Sequence, residues 1–476
     1  MRSWRWGNAV RSRDPGGNGF EPSRRHVLAG GIGAGALLAL PDLGLGGRSG
    51  VRLSASDQAA FRYAFLYGTP DPGPASDGSL VAAICPASRA ASRRASVPVA
   101  IKLAATPVSS PDQALTAATT VEMVHDGAKI TLALLDATSA TAARQASVTV
   151  TGVPGDANVL VTPVFAPGSA IVSLVLAITK PASKRLVRKV DPRTGKLAAQ
   201  WATTWRSHHA LAYFDQVSGA VTGPFQLPDE PSLALSTAAA NSTDLLLWTT
   251  REPQPGDPAE VRAQALQSRL SVFPLGSGTA RLSRSAPPPW PGGEPVVTLS
   301  TGHIARLVRG RDVQVCSART GEVTEQTIAA FDLARAKPSA VTMQARPDGT
   351  VFMTKPGAGV AVVADPADSF RTKAQIRFPV PASPLGAPWS KAVLSPAGET
   401  LYVLGPATSG GLCAYDVGSG RLAASHGDGR QYDGLYQLPS GTLLAVRAAN
   451  PRLAFFSSDL SLLGTADTNL YVSAVF

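Results

Sequence analysis

Cysteine is scarce. The chain of 476 residues has only Cys85, Cys316 and Cys413; an odd number cannot complete a disulfide framework, and no two stand at a metal-ligand spacing. Small buried thiols are the expectation. Histidines are few as well, six in all, and no H-x-E, H-E-x-x-H or C-x-x-C pattern accompanies them, so no zinc site is expected. A G-x-S-x-G nucleophile elbow is absent, as is a D-x-[DN]-x-[DN]-G calcium loop. Charged residues make up only 16%, and beside 44% hydrophobic residues this excludes global disorder.

The formal charge is +11. The first 26 residues hold Arg2, Arg5, Arg11, Arg13, Arg24 and Arg25 against Asp14 and Glu21, a net +4. Elsewhere "KPASKRLVRK" (180–189) alternates basic and apolar residues, as a strand with one solvated face does, and "ASRRAS" around Arg93 reads the same way. Neither is the clustered basic face that nucleic acid requires, so no nucleic-acid partner is expected.

The segment "SRRHVLAGGIGAGALLAL" (23–40) contains Gly31-Ile32-Gly33-Ala34-Gly35-Ala36, which fits the G-x-G-x-x-A form of a dinucleotide loop. Such a loop works only when a strand delivers its glycines to a helix N-terminus. The preceding "GNGFEPSRRHV" is polar and broken by proline, and no second βαβ unit follows, so no cofactor is expected. Residues 1–25 instead form an arginine-rich leader before the weakly apolar, uncharged stretch 27–40. That core is short for a bilayer span but suits a signal peptide. Ser23-Arg24-Arg25-His26-Val27-Leu28 resembles the twin-arginine (Tat) translocation signal S-R-R-x-F-L-K, with Val27 in place of phenylalanine and Ala29 in place of lysine. The resemblance implies recognition of Arg24 and Arg25 by the Tat machinery and a secreted, extracytoplasmic protein. An uncleaved membrane anchor is the alternative. The first cysteine is Cys85, which excludes a lipoprotein anchor.

Beyond about residue 57, short apolar runs alternate with Gly/Pro/Asp/Ser turns, which reads as all-β. One turn pattern launches an apolar strand: "SDGSLVAAI" (Gly78), "HDGAKITLALL" (Gly127), "APGSAIVSLVL" (Gly168), "RPDGTVFM" (Gly349), "SPAGETLYVL" (Gly398) and "LPSGTLLAV" (Gly441), with weaker copies at Thr243 and Gly302. A second joins two strands: "VDPRTGKL" (Gly195), "FDQVSGAV" (Gly219), "FPLGSGTA" (Gly278), "CSARTGEV" (Gly321) and "YDVGSGRL" (Gly420). From Gly302 onward the first pattern recurs at intervals of 47, 49 and 43 residues. Two hairpin turns per 40–50 residues is the requirement of a four-stranded propeller blade. "SPAGETLYVLGPATSGGLCAYDVGSGRLA" resembles a blade of the YVTN or WD40-like propellers. The expectation is a β-propeller at 56–476 of seven blades, with eight left open by the turn count, preceded by a disordered or helical signal segment at 1–55. The terminal run "NLYVSAVF" has no unit of its own and is expected to pair near "FRYAFLY" (61–67) and close the ring. Three proline-rich stretches, 68–78, 251–260 and 285–295, are expected as surface loops.

Chemistry is harder to read. His208-His209 is the only histidine pair, and neighbours on a strand point to opposite faces, so the two do not converge on one metal. Around them stand Trp201, Trp205, Tyr213, Phe214 and Asp215, large residues that fill a blade interface or stack on a carbohydrate. Trp205, His208, His209 and Asp215 are the candidate ligand-binding residues; no catalytic residue stands out. Asp136, Asp191, Asp215, Asp365 and Asp416 recur at strand ends and are expected to cap turns. The reading is a monomeric, exported, non-catalytic propeller that binds an extracytoplasmic ligand or protein. The alternative is an exported propeller lyase or hydrolase with its site at the channel mouth.

Overall fold

The structure is a computed structural model. It describes residues 62–475 apart from 70–78, 86–100, 103–106, 111–114, 137–141, 191–196, 229–233, 252–267, 287–295, 309–311, 329–341, 347, 356–358, 379–391, 396, 405–410, 428–431, 433, 439–440, 448–451 and 468–470. The signal segment, with Arg24 and Arg25, lies outside the described residues, as do the proline-rich stretches except at their ends.

Among the described residues, thirty-two strands form eight four-stranded antiparallel sheets. Blade 1 combines the two chain ends: β1 (Arg62–Thr69), β2 (Ser79–Cys85) and β3 (Ile101–Lys102) with the last strand, β32 (Tyr471–Val475). Blade 2 is β4 (Val108–Ser109), β5 (Leu115–Val124), β6 (Gly127–Asp136) and β7 (Ala142–Thr151). Blade 3 is β8 (Asn158–Phe165), β9 (Ile171–Val190), β10 (Leu197–Asp215) and β11 (Val221–Gln226). Blade 4 is β12 (Ala234–Ala240), β13 (Asp244–Arg251), β14 (Ser268–Pro274) and β15 (Leu282–Ala286). Blade 5 is β16 (Val296–Thr298), β17 (Ile304–Val308), β18 (Asp312–Cys316) and β19 (Val323–Thr327). Blade 6 is β20 (Thr342–Ala345), β21 (Val351–Lys355), β22 (Val360–Asp365) and β23 (Arg371–Arg377). Blade 7 is β24 (Ala392–Leu394), β25 (Thr400–Leu404), β26 (Leu412–Asp416) and β27 (Leu422–His426). Blade 8 is β28 (Gly434–Gln437), β29 (Leu443–Arg447), β30 (Arg452–Phe456) and β31 (Leu462–Asp467). The all-β propeller is the expected fold, and its sheets number eight, the upper of the two counts that the turns allowed.

The ring closes as the terminal run suggested. β32 pairs with β1, Leu66 opposite Val475 and Thr69 opposite Tyr471. This pairing makes β32 the first strand of blade 1 and removes a sheet edge that would otherwise stand open. First strands touch one another from blade to blade, β4 with β8, β8 with β12, β12 with β16, β16 with β20 and β24 with β28, which sets them on the inside of the ring.

Up-and-down order puts the turns after first and third strands at one end of every blade. The connections after second and fourth strands lie at the other. The glycine turns sort accordingly. After first strands, Gly302, Gly349, Gly398 and Gly441 donate N–H bonds to the carbonyls of Leu299, Arg346, Ser395 and Leu438, three residues back, all four at positive φ. After third strands, Gly219, Gly321 and Gly420 reach four residues back, to Asp215, Ser317 and Asp416. Only glycine takes such φ values without strain. Gly127 differs: it opens β6 after a second strand, at the opposite end. The N-terminal repeats are therefore out of phase with the C-terminal ones.

The core lies between blades and uses both faces of each sheet. In blade 3, Val172, Leu174, Leu176 and Ile178 of β9 pack with Ala210, Ala212 and Phe214 against Ile130, Leu132 and Leu134 of blade 2. The intervening Val175, Leu211 and Tyr213 pack against Leu245, Leu247 and Phe273 of blade 4. Two buried faces explain why these strands read as continuous apolar runs. Each such leucine or valine contributes roughly 1.5–3 kcal/mol by leaving water.

Candidate functional site

The wall of the ring is neutral. None of the eight first strands, from VS in β4 through TMQA in β20 to YVSAV in β32, contains Asp, Glu, His, Lys or Arg. Charged side chains for chemistry inside the ring must then come from the connections, not the walls. The connections that join blades lie at the end opposite the first-strand glycine turns.

All four candidate residues fall on β10. Trp205 is 38% exposed. His209 shares its strand face four residues on, and His208 points to the other face, as alternation requires. Asp215 ends the strand about 33 Å from Trp205 at the usual rise per residue. The four are not brought together at one point. Asp215 caps its turn: its carboxylate accepts from the N–H groups of Val217 (2.8 Å) and Ser218 (3.2 Å), which hold its pKa below the usual range. Asp365 and Asp416 do the same work, Asp365 accepting from Ala367 N and Asp416 from Ser419 N.

His209 is the unusual member. It is 2% exposed and its Nε2 has no hydrogen-bond partner. Burial, and then the neighbouring His208, push its pKa down to about 4. The ring is therefore neutral at pH 7, which lowers the cost of burying it. Beside it Tyr213, its pKa raised by burial, donates its hydroxyl to the Ser277 carbonyl at 2.8 Å and ties blade 3 to blade 4.

Blade 5 holds a buried cation that the periodic reading missed. Arg306 is 2% exposed, with its guanidinium 5.4 Å from the centroid of the Trp248 ring in blade 4. It donates to Gln314 Oε1 (3.1 Å), and Gln314 donates to Glu325 Oε2 (2.8 Å), a chain running outward across β17, β18 and β19. The signal was present in "IARLV", a charge at an inward position of an apolar run. Asp312 is also buried and accepts from Thr327 Oγ1 at 2.6 Å. Among the described residues, no three of His, Cys, Asp and Glu gather as a metal site would need. Cys316 and Cys413 are free and buried, and burial raises both thiol pKa values, that of Cys316 to about 11.

A shallow groove of about 810 Å³ opens on the outside, where Thr149 and Thr151 of β7 face Phe225 and Gln226 of β11 and the 276–279 turn of blade 4. Gln226 Nε2 donates across it to the Thr151 carbonyl at 3.1 Å. Its lining is threonine, serine, glycine and one aromatic ring, with no titratable group.

No family profile and no curated protein matches the chain. Among solved structures it is similar to the dihydro-heme d1 dehydrogenase NirN (11% identity, TM-score 0.47, covering 90% of this chain and 77% of that one). It is also similar to the periplasmic gluconolactonase of Pseudomonas aeruginosa (14%, 0.40, 87% and 98%) and to virginiamycin B lyase from Staphylococcus aureus (9%, 0.31, 60% and 87%). At these values the likeness is one of fold. It nevertheless corrects the non-catalytic expectation. That expectation rested on the lack of a local chemical motif, whereas the three similar structures carry the names of enzymes. No helix among the described residues is long and apolar enough to cross a membrane.

Proposed function

We propose that this chain is an exported propeller enzyme, a hydrolase or lyase acting on a polymer or natural product, with its site at the end of the ring where the blade-to-blade connections gather. The observation that supports the reading is the neutral wall of first strands beside connections of which several carry acids. Asp229 and Glu230 lie between β11 and β12, Glu294 between β15 and β16, Asp332 between β19 and β20, and Asp428 and Asp433 between β27 and β28. These acidic residues lie outside the described ones, and their place in the chain order is what the proposal uses. A carboxyl group that loses hydration has its pKa raised toward neutrality, which suits it to general acid–base work. Export rests on the twin-arginine resemblance of Arg24 and Arg25, with residues 1–55 as the signal and linker and 56–476 as the working body.

Turnover by the purified chain, measured on lactone, ester and polysaccharide panels, tests this reading. Asp332→Asn, Asp428→Asn and Asp433→Asn are compared with the parent at equal melting temperature. At least one is expected to lose about a hundredfold or more in turnover, the usual contribution of a general acid or base. A parent chain inert on every panel, or three variants as active as the parent, would contradict the proposal.

A further inference from the structure

β9 and β10 are 20 and 19 residues long, far beyond their neighbours. β8 pairs with β9 only up to Thr179, and β11 pairs with β10 only from Ala210 onward. From Lys180 and Arg206 outward the two strands pair with each other alone, to Val190 opposite Leu197. They form a two-stranded ribbon standing off blade 3 at the end of the blade-to-blade connections. A two-stranded ribbon is marginal in water, and this one exposes the residues that a folded surface ordinarily covers. Trp201 is 67% exposed and Leu186, directly opposite it, 53%. Trp205 lies on the same face two positions beyond Thr203, opposite Pro181. At its base, Ser183 and Thr204 hydroxyls meet at 2.7 Å beside a register shift.

Charge is concentrated on the same element. Residues 180–206 hold eight basic residues, Lys180 to Arg206, against Asp191 alone, a net +7. The rest of the body from residue 57 has 28 basic and 29 acidic residues, a net −1. The 180–206 stretch of the sequence therefore carries the whole net positive charge of the body, with Asp191, Arg193 and Lys196 in it lying outside the described residues. Taken strand by strand in the sequence, the basic run looked like one solvated face; paired with "WATTWR" it becomes a cationic arm with an aromatic and aliphatic face.

We propose that this ribbon docks the protein on a membrane surface bearing anionic lipids. Tryptophan settles at the bilayer interface, and leucine gains by entering the acyl boundary. Lysine and arginine nearby gain roughly fivefold in affinity per charge from an anionic leaflet. A single-stranded nucleic acid would use the same charge with stacked aromatic rings. It would have no use for Leu186 directly opposite Trp201, and that pair decides for lipid. The inference is independent of the enzymatic reading, since docking would serve a binding protein as well.

The test is co-sedimentation of the full-length chain with vesicles of phosphatidylcholine, with and without phosphatidylglycerol, at physiological salt. Every sample keeps the arginine-rich N-terminal segment, so differences between variants isolate the ribbon. The parent is expected to pellet with phosphatidylglycerol vesicles only. Lys184→Gln with Arg188→Gln and Lys189→Gln is expected to weaken binding at least about tenfold. Trp201→Ala with Leu186→Ala is expected to reduce the lipid-dependent blue shift of tryptophan fluorescence, with Trp205 remaining on the same face. Should a variant misfold, brominated phosphatidylglycerol quenching the fluorescence of a chain carrying Trp4→Phe with Trp6→Phe gives the same answer without altering the ribbon. Equal binding to neutral vesicles, no binding, binding indifferent to the ribbon variants, or ribbon-dependent binding to an oligonucleotide instead of vesicles would each overturn the proposal.

Discussion

Blades 6 to 8 and blades 2 and 3 solve one packing problem in two ways. In blades 6 to 8, strands of three to seven residues alternate with glycine turns, and each strand ends where its blade ends. In blades 2 and 3, β5, β6 and β7 run to ten residues each and β9 and β10 to about twice that. The outer strands β7 and β11 also touch, which leaves the external groove. The regular blades are scaffold, tightly constrained by their turns. The extended blades hold the features a scaffold does not need: a buried unpaired histidine, a groove and a cationic arm.

The largest effect expected concerns the strand that joins the two regions. Deleting residues 469–476 leaves β1 without a partner on its inner side, and the loss should exceed about 5 kcal/mol, a large part of what holds an ordinary domain folded. Thermal melting should then show no cooperative transition. A surviving transition from blades 2 and 3 would break the comparison by making the extended blades an independent unit.

A matched pair of glycines sharpens it. Gly223 in blade 3 has φ +104, and a Cβ there would stand 2.8 Å from the Leu211 carbonyl oxygen. Gly441 in blade 8 has φ +81 with open space around it. Gly223→Ala should cost about 3 kcal/mol and Gly441→Ala about 1 kcal/mol, the backbone strain alone. Equal losses by chemical denaturation would show that the turn and not the packing governs both.

His209 makes the extended blades sensitive to acid. Its folded pKa, near 4, lies below the unfolded value of 6.5. The unfolded chain therefore binds the extra proton between those values, and stability falls as pH drops from about 6.5 toward 4. At pH 5 the loss attributable to this group is about 2 kcal/mol. His209→Asn should flatten the melting temperature over that window; an unchanged pH slope would place the sensitivity elsewhere.

The smallest effect belongs to the arm. Trp201→Ala with Leu186→Ala should leave stability within about 0.5 kcal/mol of the parent, as at exposed positions generally. Leu443→Ala, fully buried in blade 8, should cost 2–5 kcal/mol on the scale of other core leucines. A destabilised arm variant would mean that the ribbon packs on the ring instead of standing free.

Turns were the legible part of the sequence. Gly302, Gly349, Gly398 and Gly441 mark the first-strand turns because backbone geometry at those points admits almost nothing else. The closing role of residues 469–476 followed from an apolar run with no turn partner. Blade number was harder, because blade 1 is assembled from both chain ends and Gly127 marks a different turn from Gly168. The ribbon was split between two readings, 180–189 as a solvated strand and 201–215 as a ligand locale, and only pairing shows them to be one element. Arg306 was hidden for a different reason: a charged residue in an apolar strand has no periodic signal until its neighbour, Trp248 of the next blade, is known. The candidates on β10 shared a strand but not a site, since spacing along a strand grows by about 3.3 Å per residue.

Closure in the observed register is what joins the sheets into one ring, and a cysteine pair measures it directly. In a background with Cys85, Cys316 and Cys413 replaced by alanine, Leu66→Cys with Val475→Cys puts thiols on directly paired residues, whereas Leu66→Cys with Val472→Cys does not. Under mild oxidation the first pair should cross-link and the second should not, as seen by mass spectrometry. No cross-link in the first pair, or equal cross-linking in both, would contradict a ring closed by β32 on β1.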